Sequence, residues 1–562
     1  MYSNKKIVNQ LTSLLVAKGV KKAVICPGSR NIPLIGNFAA TGDIECFSVV
    51  DERSAAFYAL GMSLALNAPV AVCVTSGSAF LNTLPAIAEA RYRQVPLVLI
   101  SADRPSEWID RNDGQTMPQY GPAYRMFKAE ADICDSEDAD NCIYSSLLMN
   151  NVLNAALAGA CGPVHINVHL HEPLFCFDNM ELPAPASIEY VSAQYSLSER
   201  AQSVIADFVE AEKKLIVIGQ LPHQNAELDS VICELRKHYI VICEQLSTSA
   251  ASPVDRVIPV FCRLNDDLNG IDMALSLGNT LVSKNIKKFL RGSRVGSLWE
   301  INEEGHIHDT FNCQTGILQC SPLMFLKELL KYTVEGNCCT SCRTDDKFKA
   351  LWDKSVECVE GSIEEYTPDY SQLLAVRNLE LALDDMEYDY EVHYANSMEV
   401  RIGCLYASHY IWCNRGVNGI EGSVSTAAGY SVASGSMVFC VTGDLSFFYD
   451  QNALWNNNLG GNLRIMVLNN GKGGIFSQLR GLDVPEDTMR FINGSHNATA
   501  RGICEQNDVG YISANNEEEL RIALVHFLTE QTKRPMVLEV FTSSEDDKKA
   551  FETLNNLIKN KS

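Results

Sequence analysis

A carboxylate and an amide stand at the ends of two apolar runs in the last third of the chain. Val438-Phe439-Cys440-Val441-Thr442 leads into Gly443-Asp444-Leu445-Ser446, and Ile465-Met466-Val467-Leu468 leads into Asn469-Asn470-Gly471, with a helix-length stretch between them. As parallel strands of an open α/β sheet, the two runs would bring Asp444 and Asn470 together at their carboxyl ends, where such sheets bind ligands. That oxygen set suits a hard cation, because Mg²⁺ takes near-octahedral oxygen coordination and completes it with phosphate and water. Asp444, the Asn470 side chain and the backbone carbonyl of Lys472 are therefore candidate ligands for a metal held on a diphosphate. Gly443 permits close backbone approach, and Ser446 starts the next helix, whose amino end favours phosphate. A Gly-Asp pair after a strand is equally an ordinary strand-to-helix turn, and this segment alone leaves both readings open.

The elements that would position these residues recur near the other end of the chain. Cys73-Val74-Thr75-Ser76-Gly77-Ser78-Ala79-Phe80 is similar to Cys440-Val441-Thr442-Gly443-Asp444-Leu445-Ser446-Phe447. At the same offset Leu97-Val98-Leu99-Ile100 falls on Arg464-Ile465-Met466-Val467, and upstream Ala59-Leu60-Gly61 matches Ala427-Ala428-Gly429 with a one-residue gap. Two similarly wound modules explain the recurrence; shared strand-Gly-helix grammar is the alternative.

A chain of 562 residues with 46% apolar content exceeds one core and implies about three or four domains by the usual size prior. No 18-residue apolar span occurs, and Met1-Tyr2-Ser3-Asn4-Lys5-Lys6 leads into an amphipathic helix, so a soluble cytoplasmic protein is expected without a membrane partner. Most of the twenty cysteines stand in apolar contexts such as Cys26, Cys73, Cys243 and Cys440, where a reduced thiol behaves as a small hydrophobe. The cluster Cys338-Cys339-Thr340-Ser341-Cys342 reads as a polar linker, or as zinc ligands if the fold brought Cys313, Cys320, His306 or His308 to it. A net charge of −23 argues against nucleic acid. It also requires that any anionic ligand meet a local concentration of basic residues.

Composition divides the chain into an N-terminal unit over residues 1–182, a central unit over 195–335 and a C-terminal unit over 365–562. Leu182-Pro183-Ala184-Pro185-Ala186 and residues 336–346 read as linkers. The central strands are Leu215–Ile218, Ile240–Ile242 and Met273–Leu277, and the run closes with Val295-Gly296-Ser297-Leu298-Trp299. Helices around Phe348–Ile363 and Gln372–Leu383 open the last unit. Strand and helix alternation predicts an α/β protein of three doubly wound parallel sheets.

In the N-terminal unit a strand leads into Pro27-Gly28-Ser29-Arg30-Asn31, exposing a hydroxyl and a guanidinium. Asp51-Glu52-Arg53 opens an apolar helix, where Glu52 alone would be an ordinary N-terminal carboxylate favoured by the helix dipole. Ala102-Asp103-Arg104-Pro105 and Gly114-Gln115-Thr116 lie just past another strand.

Taken together, these segments resemble the thiamine-diphosphate enzymes, and among them most closely the 2-succinyl-5-enolpyruvyl-6-hydroxy-3-cyclohexene-1-carboxylate synthase family (MenD) of menaquinone synthesis. The resemblance runs along nearly the whole chain. It is carried by Pro27-Gly28-Ser29-Arg30, Asp51-Glu52-Arg53, Thr75-Ser76-Gly77, Ala102-Asp103-Arg104-Pro105, Asn396-Ser397, Asn414-Arg415-Gly416, Gly419-Ile420, Ser425-Thr426-Ala427-Ala428-Gly429 and Gly443-Asp444-Leu445-Ser446, and in the middle by Gly278-Asn279-Thr280 and Lys284.

The resemblance implies a pyrimidine-binding N-terminal domain, a central domain without cofactor and a diphosphate-binding C-terminal domain, which together form the thiamine-diphosphate-binding fold. It implies a homodimer or homotetramer, with each cofactor between the N-terminal domain of one subunit and the C-terminal domain of another. The implied cofactors are thiamine diphosphate and Mg²⁺, with Mn²⁺ as a second metal. The implied enzyme is a transferase of the transketolase type. It decarboxylates 2-oxoglutarate, and the succinyl carbanion then adds in Michaelis fashion to isochorismate. By the same resemblance Glu52 hydrogen-bonds the aminopyrimidine and promotes the tautomer that deprotonates the thiazolium. Ile420 bends the cofactor, and Thr75, Ser397, Gly443, Asp444, Leu445, Ser446, Asn470, Ile475 and Phe476 also hold it. Arg30, Arg104, Lys284, Arg401 and Arg415 form the cationic pocket for two dianions, Ser29 and Gln115 orient isochorismate, and Asn396 lies near the 2-oxoglutarate moiety. Arginine suits this task because its planar fork binds carboxylates bidentately.

Three departures stand out from the family pattern. Asn31 replaces a small hydroxyl residue, Glu421 replaces a frequent aspartate, and the loop Asn469-Asn470-Gly471-Lys472-Gly473-Gly474 differs from the usual Asn-Asn-Asn-Gly-Gly, which favours Asn470 over the Lys472 carbonyl as ligand. Two other functions remain. A related decarboxylase or acetolactate-type synthase predicts a less basic pocket, and a cofactor-binding sensor would lack Glu52 or the Asp444/Asn470 pair.

Overall fold

Short apolar runs separated by helix-length stretches fold here into three sheets in which every strand pairing is parallel. The computed structural model describes all residues except 192–195, 223, 250, 266–269, 336–345, 479–481 and 483. The first sheet contains β1 (Lys22–Ile25), β2 (Glu45–Ser48), β3 (Val70–Val74), β4 (Leu97–Asp103), β5 (Glu130–Cys134) and β6 (Val164–His169), in the order β2-β1-β3-β4-β6-β5. The central sheet contains β7 (Lys214–Ile218), β8 (Ile240–Cys243), β9 (Ile271–Leu277), β10 (Val295–Asn302) and β11 (Gly316–Gln319), in the order β11-β10-β9-β7-β8. The third contains β12 (Tyr390–Tyr394), β13 (Ile411–Trp412), β14 (Met437–Gly443), β15 (Leu463–Asn469), β16 (Gly510–Ala514) and β17 (Met536–Phe541), in the order β13-β12-β14-β15-β17-β16.

Counted within each module, the first and third sheets have the same strand order. The two similar segments seen in the sequence are the ends of β3 and β14, the third strand of each, so the recurrence is structural. Helices cover both faces of the sheets, and β3, β4 and β15 are buried along their whole length, as parallel strands between helix layers must be.

The two modules meet where the helix Glu52–Leu66 crosses the helix Ser423–Ser434. A Cβ on Gly61 would lie 1.9 Å from the Thr426 carbonyl oxygen, and one on Gly429 would lie 1.9 Å from that of Tyr58. Backbone therefore packs on backbone, which only glycine at both positions allows.

The central run does not close at Trp299. β10 continues to Asn302 and β11 pairs outside it, a four-residue, partly exposed edge strand too short to give a periodic signal. The helix expected around Phe348–Ile363 spans Asp346–Glu365. It joins modules: Phe261, on the central helix Val254–Leu264, meets Phe348 and Trp352 edge-on at ring-centroid distances of 5.4 and 5.3 Å.

His393 on β12 is buried between Trp412 and Tyr430, and its Nε2 has no hydrogen-bond partner. Burial holds its pKa down at about 3, and the charge of Arg93 adds to the effect. An unfolded histidine takes up its proton near pH 6.5, which the folded state refuses. This contribution to stability is thus present in full above the unfolded pKa and is lost as pH falls from there toward 3. Denaturant unfolding between about pH 6 and pH 4 should show a His393-dependent slope of about 1.4 kcal/mol per pH unit that is missing in His393→Leu. Equal slopes in the two proteins would remove His393 as the cause.

Candidate functional site

The carboxyl ends of β14 and β15 bring the first pair of candidates together. Asp444 Oδ2 accepts the backbone N–H of Asn470 at 3.2 Å and of Gly471 at 2.8 Å, and Oδ1 accepts that of Leu445 at 2.6 Å. His496 Nε2 stands 3.4 Å from Oδ2. Burial pushes the Asp444 carboxyl up in pKa, opposed by these N–H groups and by His496. Asn470 donates to Asp547 at 2.9 Å, and its amide oxygen accepts the Lys472 N–H at 3.3 Å.

Two further carboxylates join this cluster without any sequence signal. Glu399, at the start of the helix Glu399–Tyr406, is packed so closely under Gly443 that a Cβ there would lie 2.5 Å from its Oε1. Burial first, then the charges of Asp444 and Asp547, push Glu399 up to about 8. Asp547, whose pKa is likewise raised by burial, holds Asn470 from the last helix of the chain.

Across the loop that follows β13, Ser446 Oγ donates to the Ile420 carbonyl at 2.5 Å, and the Ile420 side chain is 40% exposed, an apolar surface left uncovered beside the cluster. Asn396 donates to the carbonyls of Asn414 and Gly419, and its Oδ1 accepts from Arg415 at 3.0 Å. Arg415 also donates to the Leu281 carbonyl, while its buried Nε has no partner. Ser397 holds a φ of +85°, a strained conformation for a residue with a side chain.

The rest of the basic ground lies where the central and C-terminal modules meet. Arg401 donates to the Val282 carbonyl at 3.2 Å and lines a cavity of about 170 Å³ with Lys284, Glu244, Asp255, Arg256 and Ile475. Lys284 opens the helix Lys284–Gly292, capped by Ser283; a cation at that end works against the helix dipole, so the position does not serve helix stability. Glu244 accepts the N–H groups of Val282 and Ser283, both at 2.7 Å, and so fixes the start of this helix. Phe476 packs against Gly473 in the short turn Gly474–Gln478.

The N-terminal candidates form a second group. Arg30 is buried, donates to the Leu170 carbonyl at 3.0 Å and pairs with Glu172; burial and then the charge of Arg104 lower its pKa. Arg104 faces Asp113 at 3.6 Å. Thr75 lies against the Gly28 turn that carries Ser29, and Gln115, with φ +55°, packs over Gly77. Asp51 caps the helix by accepting from Arg53 and Ser54 N–H, which leaves Glu52 half-buried with Asn82 donating to it at 3.1 Å. Among the described residues, no hydrogen bond or ion pair joins Ser29, Arg30, Glu52, Arg104 or Gln115 to Arg401, Arg415 or Asp444.

Behind Arg104 runs a buried polar network. Ser101 Oγ contacts His165 Nε2 and Asn167 Oδ1, each at 2.8 Å, and Asn167 donates to Asp103 and Asp132. His169 contacts Asp132 and the Arg104 carbonyl. Gln119 links the network to the Gly77 N–H. The Ser101–His165–Glu130 line has the connectivity of a nucleophile, base and orienting acid, but Ser101 and His165 have no exposed surface, so the network supports the Arg104 and Gln115 loops instead.

The Cys338/Cys339/Cys342 cluster lies outside the described residues. Among the described residues no group of three or more His, Cys, Asp or Glu side chains gathers as metal ligands, and His306 and His308 pair with Glu304 and Glu300. Every described cysteine is free. Also among the described residues, no helix is long and apolar enough to cross a membrane.

Residues 5–121 match the family described as thiamine pyrophosphate enzyme, N-terminal TPP binding domain. Over its full length the chain is 36% identical to a 2-succinyl-5-enolpyruvyl-6-hydroxy-3-cyclohexene-1-carboxylate synthase of Phocaeicola vulgatus, covering 100% of both proteins. The protein of that name from Bacteroides fragilis is also 36% identical with 100% of both covered, and the one from Porphyromonas gingivalis is 33% identical over 96% of this chain and 95% of its own.

Proposed function

Because the chain belongs to the 2-succinyl-5-enolpyruvyl-6-hydroxy-3-cyclohexene-1-carboxylate synthase family, we propose that it runs that family's reaction with the residues placed above. It is a thiamine-diphosphate-dependent enzyme of menaquinone biosynthesis that decarboxylates 2-oxoglutarate and joins the succinyl unit to isochorismate. In class it is a transferase of the transketolase type. Bound thiamine diphosphate supplies the electron sink for losing CO₂ and for using the resulting carbanion in C–C bond formation.

The residues present fit the cofactor and a divalent cation. Asp444, Asn470 and a loop carbonyl such as that of Lys472 are all oxygen donors, the set Mg²⁺ prefers, and Mn²⁺ accepts the same set. Burial raises the pKa of Asp444 and Asp547, with the carboxyl of Glu399 held up to about 8 beside them, and a dication at Asp444 would favour its ionised form. Gly443, Leu445 and Ser446 form the helix start for the diphosphate, and exposed Ile420 is the apolar support under the ring system.

Glu52 holds the proton exchanged with the aminopyrimidine. Lys284, Arg401 and Arg415 bind substrate carboxylates on the C-terminal side, Arg30 and Arg104 do so on the N-terminal side, and Ser29, Gln115 and Asn396 orient the partners. The gathering of Arg256, Lys284 and Arg401 around one cavity, with Arg415 on Asn396 just past β12, in a chain of net charge −23, is the observation that carries this reading. It also disfavours a decarboxylase or acetolactate-type reading, which calls for a less basic pocket.

From membership of the family we infer an assembly, homodimer or homotetramer, in which a second subunit completes each site. Exposed Val50, Ile420, Tyr449 and Trp455 give such an assembly apolar surface to cover. The cytoplasm is the proposed compartment.

Purified protein with thiamine diphosphate, Mg²⁺ and 2-oxoglutarate should consume isochorismate, followed by its absorbance, and omission of any one component should stop the loss. Release of CO₂ without loss of isochorismate would move the protein to the decarboxylase reading.

A further inference from the structure

The loop Cys413–Val417 carries Arg415 and is tied by a side-chain hydrogen bond at every residue. Arg93 and Gln220 both donate to the Cys413 carbonyl at 2.8 Å, Asn396 donates to that of Asn414, and Thr280 donates to that of Arg415 at 2.7 Å. The remaining two ties run the other way. Gly416 N–H donates to Glu89 Oε1 at 2.8 Å and Val417 N–H to Glu89 Oε2 at 2.7 Å.

Glu89 sits one helical turn before Arg93 on the helix Ser78–Arg93 of the N-terminal module, and both side chains are buried. A carboxylate in such a place is retained at a desolvation cost, and no part of the chemistry assigned above uses it. The loop passes so close that a Cβ on Gly416 would lie 2.7 Å from the Glu89 backbone carbonyl oxygen.

We propose that Glu89 is the positioning residue for Arg415, with its two oxygens receiving the two successive N–H groups that follow the arginine and so fixing where the guanidinium stands. The inference rests on the substrate-binding role given to Arg415 in the proposed function. Neither oxygen can be spared: a glutamine in this place would turn an NH₂ group toward one of the two N–H donors. The loop would then shift while Asp444, Asn470 and their contacts stay in place. Glu89 and Arg93 reach this loop from the N-terminal module, whereas Gln220, Thr280 and Asn396 reach it from the other two, so the N-terminal module takes part in binding a carboxylate it does not touch.

A double-mutant cycle on the full-length enzyme, with thiamine diphosphate and Mg²⁺ saturating, tests this. Arg415→Ala identifies which substrate, 2-oxoglutarate or isochorismate, loses affinity. For that substrate Glu89→Gln should raise KM about tenfold in the wild-type background and leave it within about twofold in the Arg415→Ala background, because contacts that act as one unit are not additive. Thiamine diphosphate affinity and kcat should change by less than about threefold. Glu89→Asp keeps both acceptor oxygens; it should recover part of the affinity, and it carries the same cycle if Glu89→Gln does not fold. An equal rise in KM in both backgrounds, or no rise in either, would overturn the positioning role. Unchanged KM values in Arg415→Ala would instead overturn the substrate role of Arg415, and the inference with it.

Discussion

Glu52→Gln is expected to fold, assemble and bind thiamine diphosphate as the parent does, and to lose turnover by about 10²–10⁴-fold, the range found when a positioned acid-base group is removed. The structure makes this a clean substitution. Asp51, not Glu52, caps the helix Glu52–Leu66, so loss of the Glu52 charge does not uncap it. Glutamine keeps the length of the side chain and an oxygen for the Asn82 amide. What it removes is the ability to exchange a proton. Circular dichroism, cofactor titration and isochorismate consumption measured on the same preparation check the expectation, and a rate within about threefold of the parent would end the role given to Glu52.

Asp444→Ala should act on binding before it acts on rate. The carboxylate organises its own surroundings, drawing in the N–H groups of Leu445, Asn470 and Gly471, and it is the one strand-end carboxylate paired with Asn470. Its removal takes away a proposed metal ligand and leaves the N–H groups of Leu445 and Asn470 without their acceptor, while Gly471 keeps Asn469 Oδ1 at 3.0 Å. Since loss of even an outer-shell partner costs 10–100-fold in metal affinity, loss of this one should weaken Mg²⁺-dependent thiamine diphosphate binding by at least about 100-fold. Calorimetric titration at fixed cofactor and rising Mg²⁺ reads this directly, and an unchanged affinity would place the metal elsewhere.

The Asp444 and Asn470 pair was legible because each ends a run buried on both faces, the mark of a central parallel strand, and parallel neighbours bring their ends together. The like strand order of the first and third sheets was legible in the short match around Cys73 and Cys440. By contrast, the companions of Asp444 and of the Arg415 loop could not be read. Asp547 reaches Asn470 across 77 residues and Glu89 reaches Gly416 across 327, distances at which no local pattern operates. β6 misleads in another way. Its Val-His-Ile-Asn-Val-His alternation looks like a strand with one face in water, yet both faces are buried, and the polar one is matched by Ser101, Asp132, Glu130 and Gln119. Glu52 was ambiguous in the sequence because two acidic residues stand at one helix start; the structure divides their work.

The contacts of Gly61 with Thr426 and of Gly429 with Tyr58 are reciprocal, as they are about an approximate two-fold axis through the helix crossing. Rotation about that axis would exchange the two like modules, but it would not exchange their equipment: one carries Glu52 and the other Asp444. Each chain is therefore a fused pair of unlike halves. A centre that needs one half of each kind occurs once per chain in any closed assembly, and saturating titrations should count one thiamine diphosphate per polypeptide, not one per module.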